Sequence, residues 1–143
     1  MTVAHILKGK GSEVVTLRPE VTLSEVVQVL AEKRIGAIVL VDDGGRVAGI
    51  VSERDVVRVL ARSGPVVLEK PIGEAMTVKV KTCTTMTPIE EVLTTMTHGR
   101  FRHLPVVEDG RLAGIISIGD VVKMKIEEAE REAREMREYI AAG

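Results

Sequence analysis

Aromatic side chains are almost missing from this chain: its 143 residues include one Phe, one Tyr and no Trp. Phe101 and Tyr139 are too few to build a stacking platform for single-stranded nucleic acid. A flat, base-shaped ligand is therefore expected to lie between aliphatic side chains. Cysteine is as scarce. The single Cys83 cannot close an internal disulfide, which fits a reducing cytoplasm. No apolar run approaches the roughly 20 residues of a membrane-spanning helix, and Met1 to Lys10 lacks the apolar stretch of a signal peptide. Charge of one sign is not in excess either, since 20 Lys and Arg face 21 Asp and Glu, a formal net charge of −1. That balance leaves no general basic footprint, so nucleic acid is not an expected partner.

Chemistry-bearing constellations are equally thin. His98 and His103 stand five apart with Cys83 elsewhere, which is no zinc-ligand spacing, and no metal is expected. There is no Gly-rich phosphate loop, and nothing orders Ser, His and Asp into a catalytic arrangement. The chain reads as a non-enzyme with no catalytic cofactor.

What is present is a repeat. Arg46 to Ser52 overlays Arg111 to Ser117 at an offset of 65, and Asp55-Val56-Val57 then falls on Asp120-Val121-Val122. Upstream the offset becomes 66, because Asp42-Asp43-Gly44-Gly45 is one residue longer than Glu108-Asp109-Gly110. Each copy reads β-α-β-β-α. In the first, Val14 to Leu17 is a short extended segment, Thr22 or Ser24 caps a helix that Gly36 ends, and Ala37–Val41 and Val47–Val51 flank a glycine turn. A second helix starts at Ser52 and Asp55. In the second copy Val78 to Thr82 is the extended segment, Pro88 to Thr97 the helix, and Leu104–Val107 and Leu112–Ile116 the hairpin. The expected divisions are residues 8–62, a Pro- and Gly-bearing linker over 63–75, a second copy over 76–125, and a helical extension over 126–143. Units of about 60 residues bury little interior alone, so the fold class is α+β, two copies packed through their sheets about a pseudo-twofold axis.

The repeated run Gly-apolar-apolar-Ser-x-x-Asp, at Gly49 to Asp55 and Gly114 to Asp120, carries the candidate chemistry. Glycine lets the strand approach a neighbour closely. Ser52 and Ser117 stand where strand becomes helix, where a hydroxyl and free N–H groups can meet an anion. Asp55 and Asp120 are acceptor-only, and their two oxygens match the vicinal hydroxyls of a ribose. The alternative is that Ser and Asp simply cap the helices. Two copies of the whole run favour the ligand reading.

This pattern, with Arg102-His103-Leu104-Pro105-Val106-Val107, resembles the cystathionine β-synthase (CBS) domain family over about residues 8 to 125. The resemblance implies a disc-shaped Bateman module with two clefts that take adenosine compounds such as AMP, ATP or NAD(H) and regulate something else. On that basis the adenine is expected between apolar strands, at Val14, Val15 and Ile38 in one copy and at Val80, Lys81 and Leu104 in the other. Thr16 and Thr77 are candidates for hydroxyl contacts. Arg54 offers a planar fork to phosphate where its counterpart Gly119 cannot, and Arg102 and His103, with Arg100, are expected to compensate in the second cleft. Arg100 and Arg102 are equally readable as a solvated strand entry. Pro105 is replaced by Val39 in the first copy, which makes the second base pocket the more complete.

From Asp120 to Ala142 the chain lacks Pro, and Val122, Ile126, Ala129, Ala133, Met136 and Ile140 form a heptad-like seam. A small-residue seam wants a partner, so a homodimer is expected. Two functions follow: an adenine-nucleotide sensor acting on an unidentified protein target, or a dimerisation scaffold with unoccupied clefts.

Overall fold

The computed structural model describes all residues 1 to 143. Local chemistry sets its elements. Thr22 accepts a hydrogen bond from the Glu25 N–H and starts helix α2 (Leu23–Lys33), whose Leu23, Val26 and Leu30 are buried. The helix ends at Arg34 and not at Gly36: Arg34 takes the left-handed conformation (φ 54°) and its N–H returns to the Leu30 carbonyl. Gly36 serves a different purpose. A Cβ there would stand 3.2 Å from two atoms of the His103 ring, so its lack of a side chain gives that ring its place.

Strands β1 (Thr16–Leu17), β2 (Ala37–Val41) and β3 (Val47–Ser52) form one sheet in that order, β1 parallel and β3 antiparallel to β2. Strand β3 runs into helix α3 (Glu53–Ser63). In the second copy helix α4 (Ile89–Gly99) leads to a hairpin of β4 (His103–Glu108) and β5 (Arg111–Ser117), then to helix α5 (Ile118–Ala142). The shorter second hairpin closes with Asp109 and Gly110 both at positive φ.

The expected strand over Val78 to Thr82 is absent; a single bridge pairs Cys83 with Val106. Pro105 is the reason. Val39 pairs with Thr16 in the first sheet, but its counterpart Pro105 has no N–H to sustain a rung at Thr82.

Two cores result. Ile38, Leu40 and Val51 point into the first, and Leu104, Val106 and Ile116 into the second. Ala37, Val39 and Pro105 lie on the opposite faces and are also buried, which is the sheet-to-sheet packing of the pseudo-twofold pair.

The chain crosses between the copies. Helix α1 (Val3–Lys10) precedes the first copy in sequence, yet Val3 and Ile6 belong to the second core. Residues 63–75 do not span open space as a linker: two 3-10 turns, Pro65–Glu69 and Ile72–Glu74, sink Val67, Ile72 and Ala75 into the first core. The backbone contacts correspond. Ile72 N–H donates to the Val21 carbonyl at 2.9 Å, and Val3 N–H to the Thr87 carbonyl at 3.0 Å. Leu23 N–H donates to Lys70 and Ile89 N–H to Met1 in the same way.

The motif glycines receive these segments. A Cβ on Gly49 would meet Met76 Sδ at 2.8 Å and the Thr77 carbonyl at 3.1 Å; one on Gly114 would meet Leu7 Cδ2 at 2.9 Å. Because a backbone carbonyl cannot step aside as a side chain can, Gly49→Ala is expected to destabilise the fold by about 1–3 kcal/mol. Urea unfolding at equilibrium checks this, and a loss below about 0.5 kcal/mol, the size of an ordinary surface substitution, would contradict it.

Candidate functional site

Both Ser-x-x-Asp runs form capping boxes. Ser52 N–H donates to Asp55 Oδ2 at 2.8 Å, and Asp55 N–H donates to Ser52 Oγ at 3.3 Å. Ser117 N–H donates to Asp120 Oδ2 at 2.8 Å, and Asp120 N–H to Ser117 Oγ at 3.2 Å. The two serines and one oxygen of each aspartate thus start α3 and α5.

The two sites then part. Asp55 Oδ1 accepts from Arg58 Nη2 at 2.6 Å, one turn along its own helix, and the Arg58 side chain is mostly exposed. Such a surface partner yields to a ligand at little cost. Asp120 is met from afar. Lys10, the last residue of α1, donates from Nζ to Asp120 Oδ2 at 2.6 Å and to the Ile115 carbonyl at 3.0 Å. Burial pushes the Asp120 carboxyl up, but the Lys10 ammonium and the Ser117 N–H outweigh it and hold the group below its ordinary 3.8.

A cleft of about 360 Å³ opens beside the first motif, a size suited to a small ligand. Ser52, Glu53, Arg54, Asp55 and Arg58 line it from the β3–α3 junction. Thr77, Lys79, Val80 and Lys81 line it from the crossing segment, and Gly99, Arg100, Phe101, Arg102 and His103 from the second copy. Gly36 and Ile50 complete the wall. Six cations and two carboxylates face this space in a chain whose net charge is −1.

Of the sixteen site residues chosen from sequence, this cleft gathers eight: Ser52, Arg54, Asp55, Thr77, Val80, Lys81, Arg102 and His103. The other eight lie outside it. Ile38 and Leu104 point into the two cores. Pro105 is buried on the opposite face of β4, Val14 and Val15 precede the short edge strand that Thr16 opens, and Ser117 and Asp120 stand beside Lys10. Arg102 and His103, expected at the second motif, also line the cleft of the first with Arg100, because the sheets pack face to face. His103 still pairs with Ser117 across the β4–β5 ladder, and Lys10 and Asp120 both act on its ring. Aliphatic side chains do not line the cleft alone, since Phe101, one of the two aromatics, is there.

Sequence reasoning missed Arg58, Lys79 and Phe101. Lys79 was legible in principle, because residues 71–80 align with 2–11 and set Lys79 against Lys10. Phe101 carried no signal beyond its place next to Arg102.

Cys83 takes no part. It is buried in the second core, and burial, with Glu108 and Glu91 nearby, pushes its thiol up to about 12. No group of three or more His, Cys, Asp or Glu side chains is placed to hold a metal ion.

The sequence profile of the CBS domain matches residues 10–62 and 72–127. The chain belongs to the CBS-domain family. Solved CBS proteins share the fold. A CBS-domain containing protein from Agrobacterium tumefaciens is 45% identical, with a TM-score of 0.84 over 87% of this chain and 99% of that one. The CBS domain protein PAE2072 from Pyrobaculum aerophilum, complexed with AMP, is 28% identical with a TM-score of 0.75, covering 84% of this chain and 89% of its own. The CBS domain pair of protein MJ0100, in complex with 5′-methylthioadenosine and S-adenosyl-L-methionine, is 26% identical with a TM-score of 0.80 over 90% and 98% of the two chains.

His103 gives this CBS pair a pH signature. Burial lowers its pKa from the ordinary 6.5, more than Glu53 raises it. The unfolded chain therefore binds the proton more readily, so stability is full above pH 6.5 and declines as pH falls through that value. The urea midpoint should drop between about pH 7 and pH 5.5, and His103→Asn should shrink that drop. Equal drops in the two proteins would contradict the assignment.

Proposed function

We propose that the chain is a non-catalytic regulatory module that binds a phosphate-bearing adenosine nucleotide, AMP, ATP or NAD(H), in the cleft beside Ser52 to Asp55. One observation carries the reading: six cations converge on a cleft whose edge is a helix start with a ribose-sized carboxylate. Arg54, Lys81, Arg100 and Arg102 meet the phosphates, and Asp55 Oδ1, released by Arg58, meets the ribose. S-adenosylmethionine, which carries a sulfonium cation, is disfavoured by the same charges. The AMP-bound and S-adenosylmethionine-bound relatives support an adenosine ligand in general.

The second motif already holds a side chain of its own chain on Asp120 Oδ2. Lys10 occupies Asp120 as a built-in cation, so the module binds one ligand. Because the open cleft draws its groups from both copies, a bound nucleotide biases how the copies sit. The partner feels that change, by no more than the ligand's differential affinity for the two states. A second copy of the chain and an unidentified protein target are the proposed partners, and the single buried thiol of Cys83 suits a cytoplasmic setting.

The scaffold reading has one observation of its own: both aspartates already have protein partners. Titration calorimetry with AMP, ATP, NAD and S-adenosylmethionine separates the two. One equivalent of a phosphate-bearing nucleotide is expected, lost in Asp55→Ala and in Arg102→Ala and kept in Asp120→Ala. The arginine variant guards against a mere loss of the cap. Silence across the panel supports the scaffold; two equivalents, one lost in Asp120→Ala, would show that Lys10 does not close the second cleft.

A further inference from the structure

Helix α5 leaves the body of the protein. Its first turns pack on α4, β5 and α1, but every residue from Ala129 to the end is exposed. The apolar seam along it is uncovered: Val122 is 49% exposed, Ile126 53%, Met136 59% and Ile140 69%. Spacings of 4, 3, 4, 3 and 4 put Ile126, Ala133 and Ile140 at heptad a positions and Val122, Ala129 and Met136 at d. The alanines at its centre let two helices approach closely.

The flanking charges say what covers the seam. Lys125 and Glu132 fall at g, and Glu130 and Arg137 at e. In a parallel pair, each g residue faces the e residue five places on in the other helix. Lys125 then meets Glu130 and Glu132 meets Arg137, opposite charges in every case, and symmetry doubles both pairs. An antiparallel pair with the seam fully overlapped sets Glu130 against Glu130, Glu132 against Glu132 and Lys123 against Arg137. Every close pair of charges there is alike. Within the chain Lys125 already reaches Glu90 at 3.2 Å and Glu128 at 3.6 Å, so the Glu132–Arg137 pair carries the orientation.

We infer that α5 is a parallel coiled-coil seam for a second copy of this chain, held in register by Glu132 of one copy and Arg137 of the other. This rests on self-association alone and is independent of what the cleft binds. The parallel arrangement sets both bodies at the same end of the pair, side by side.

Sedimentation velocity on the full chain tests association, and engineered cysteines test orientation. Cys83 is buried with a raised pKa, so it stays silent as an oxidation control. Met136→Cys should form a disulfide-linked dimer with itself under mild oxidation, because equivalent d positions adjoin in a parallel pair. Glu132→Lys should weaken the dimer roughly tenfold, and Glu132→Lys with Arg137→Glu should restore it. A monomer at all concentrations overturns the inference and leaves the nucleotide reading standing. A dimer in which Met136→Cys links only to Ile126→Cys, or in which the double variant fails to recover, overturns the parallel orientation.

Discussion

The structure depends on one exchange of chain between its two copies. Each repeat leaves a hole over its central hairpin, and the segment that fills it comes from the stretch preceding the other repeat in sequence. Gly49 accepts Met76 and Thr77, and Gly114 accepts Leu7, so closely that an added Cβ would force these neighbours to shift. Neither core is complete without the crossing, since Val67, Ile72 and Ala75 finish the first and Val3 and Ile6 the second. The copies are therefore one folding unit, and a ligand held between them acts on the whole.

The two crossing segments differ in how they leave, and the asymmetry of the sites follows. After Met76 the chain carries β-branched Thr77 and Val78, and Thr77 pairs with Ile50 as extended backbone. That path keeps the space beside Asp55 open and hands Lys79 and Lys81 to its lining. After Leu7 the chain stays helical to Lys10, which brings an ammonium onto Asp120. A near-symmetric repeat thus yields one accessible, cationic cleft and one carboxylate already paired by its own chain. A net charge of −1 hides this local imbalance.

Much of the fold was legible. The repeat, both hairpins, the capped helices and the C-terminal helix follow from period, turn residues and caps. Helix ends misled at Gly36, because Arg34 and Arg100 accept a left-handed conformation that local propensity assigns to glycine. The missing strand at Val78 to Thr82 turns on the absent N–H of Pro105, a pairing effect invisible within the segment itself. The site was half legible. Motif residues could be named, but which of them share a cleft depends on the crossing and on face-to-face packing. Arg102 and His103 were therefore expected at the second motif alone, whereas they line the first cleft too, and Ile38 was expected to face a ligand where its alternation points it inward.

The central claim is that the cleft at Ser52 to Asp55 is open and the one at Ser117 to Asp120 is closed by Lys10. Amide chemical-shift mapping during a titration with AMP tests it most directly. The account predicts shifts concentrated at Ser52 to Arg58, Thr77 to Lys81 and Arg100 to His103, with Lys10 and Ser117 to Asp120 unmoved. Shifts centred on Ser117 to Asp120, with the first motif silent, would contradict it.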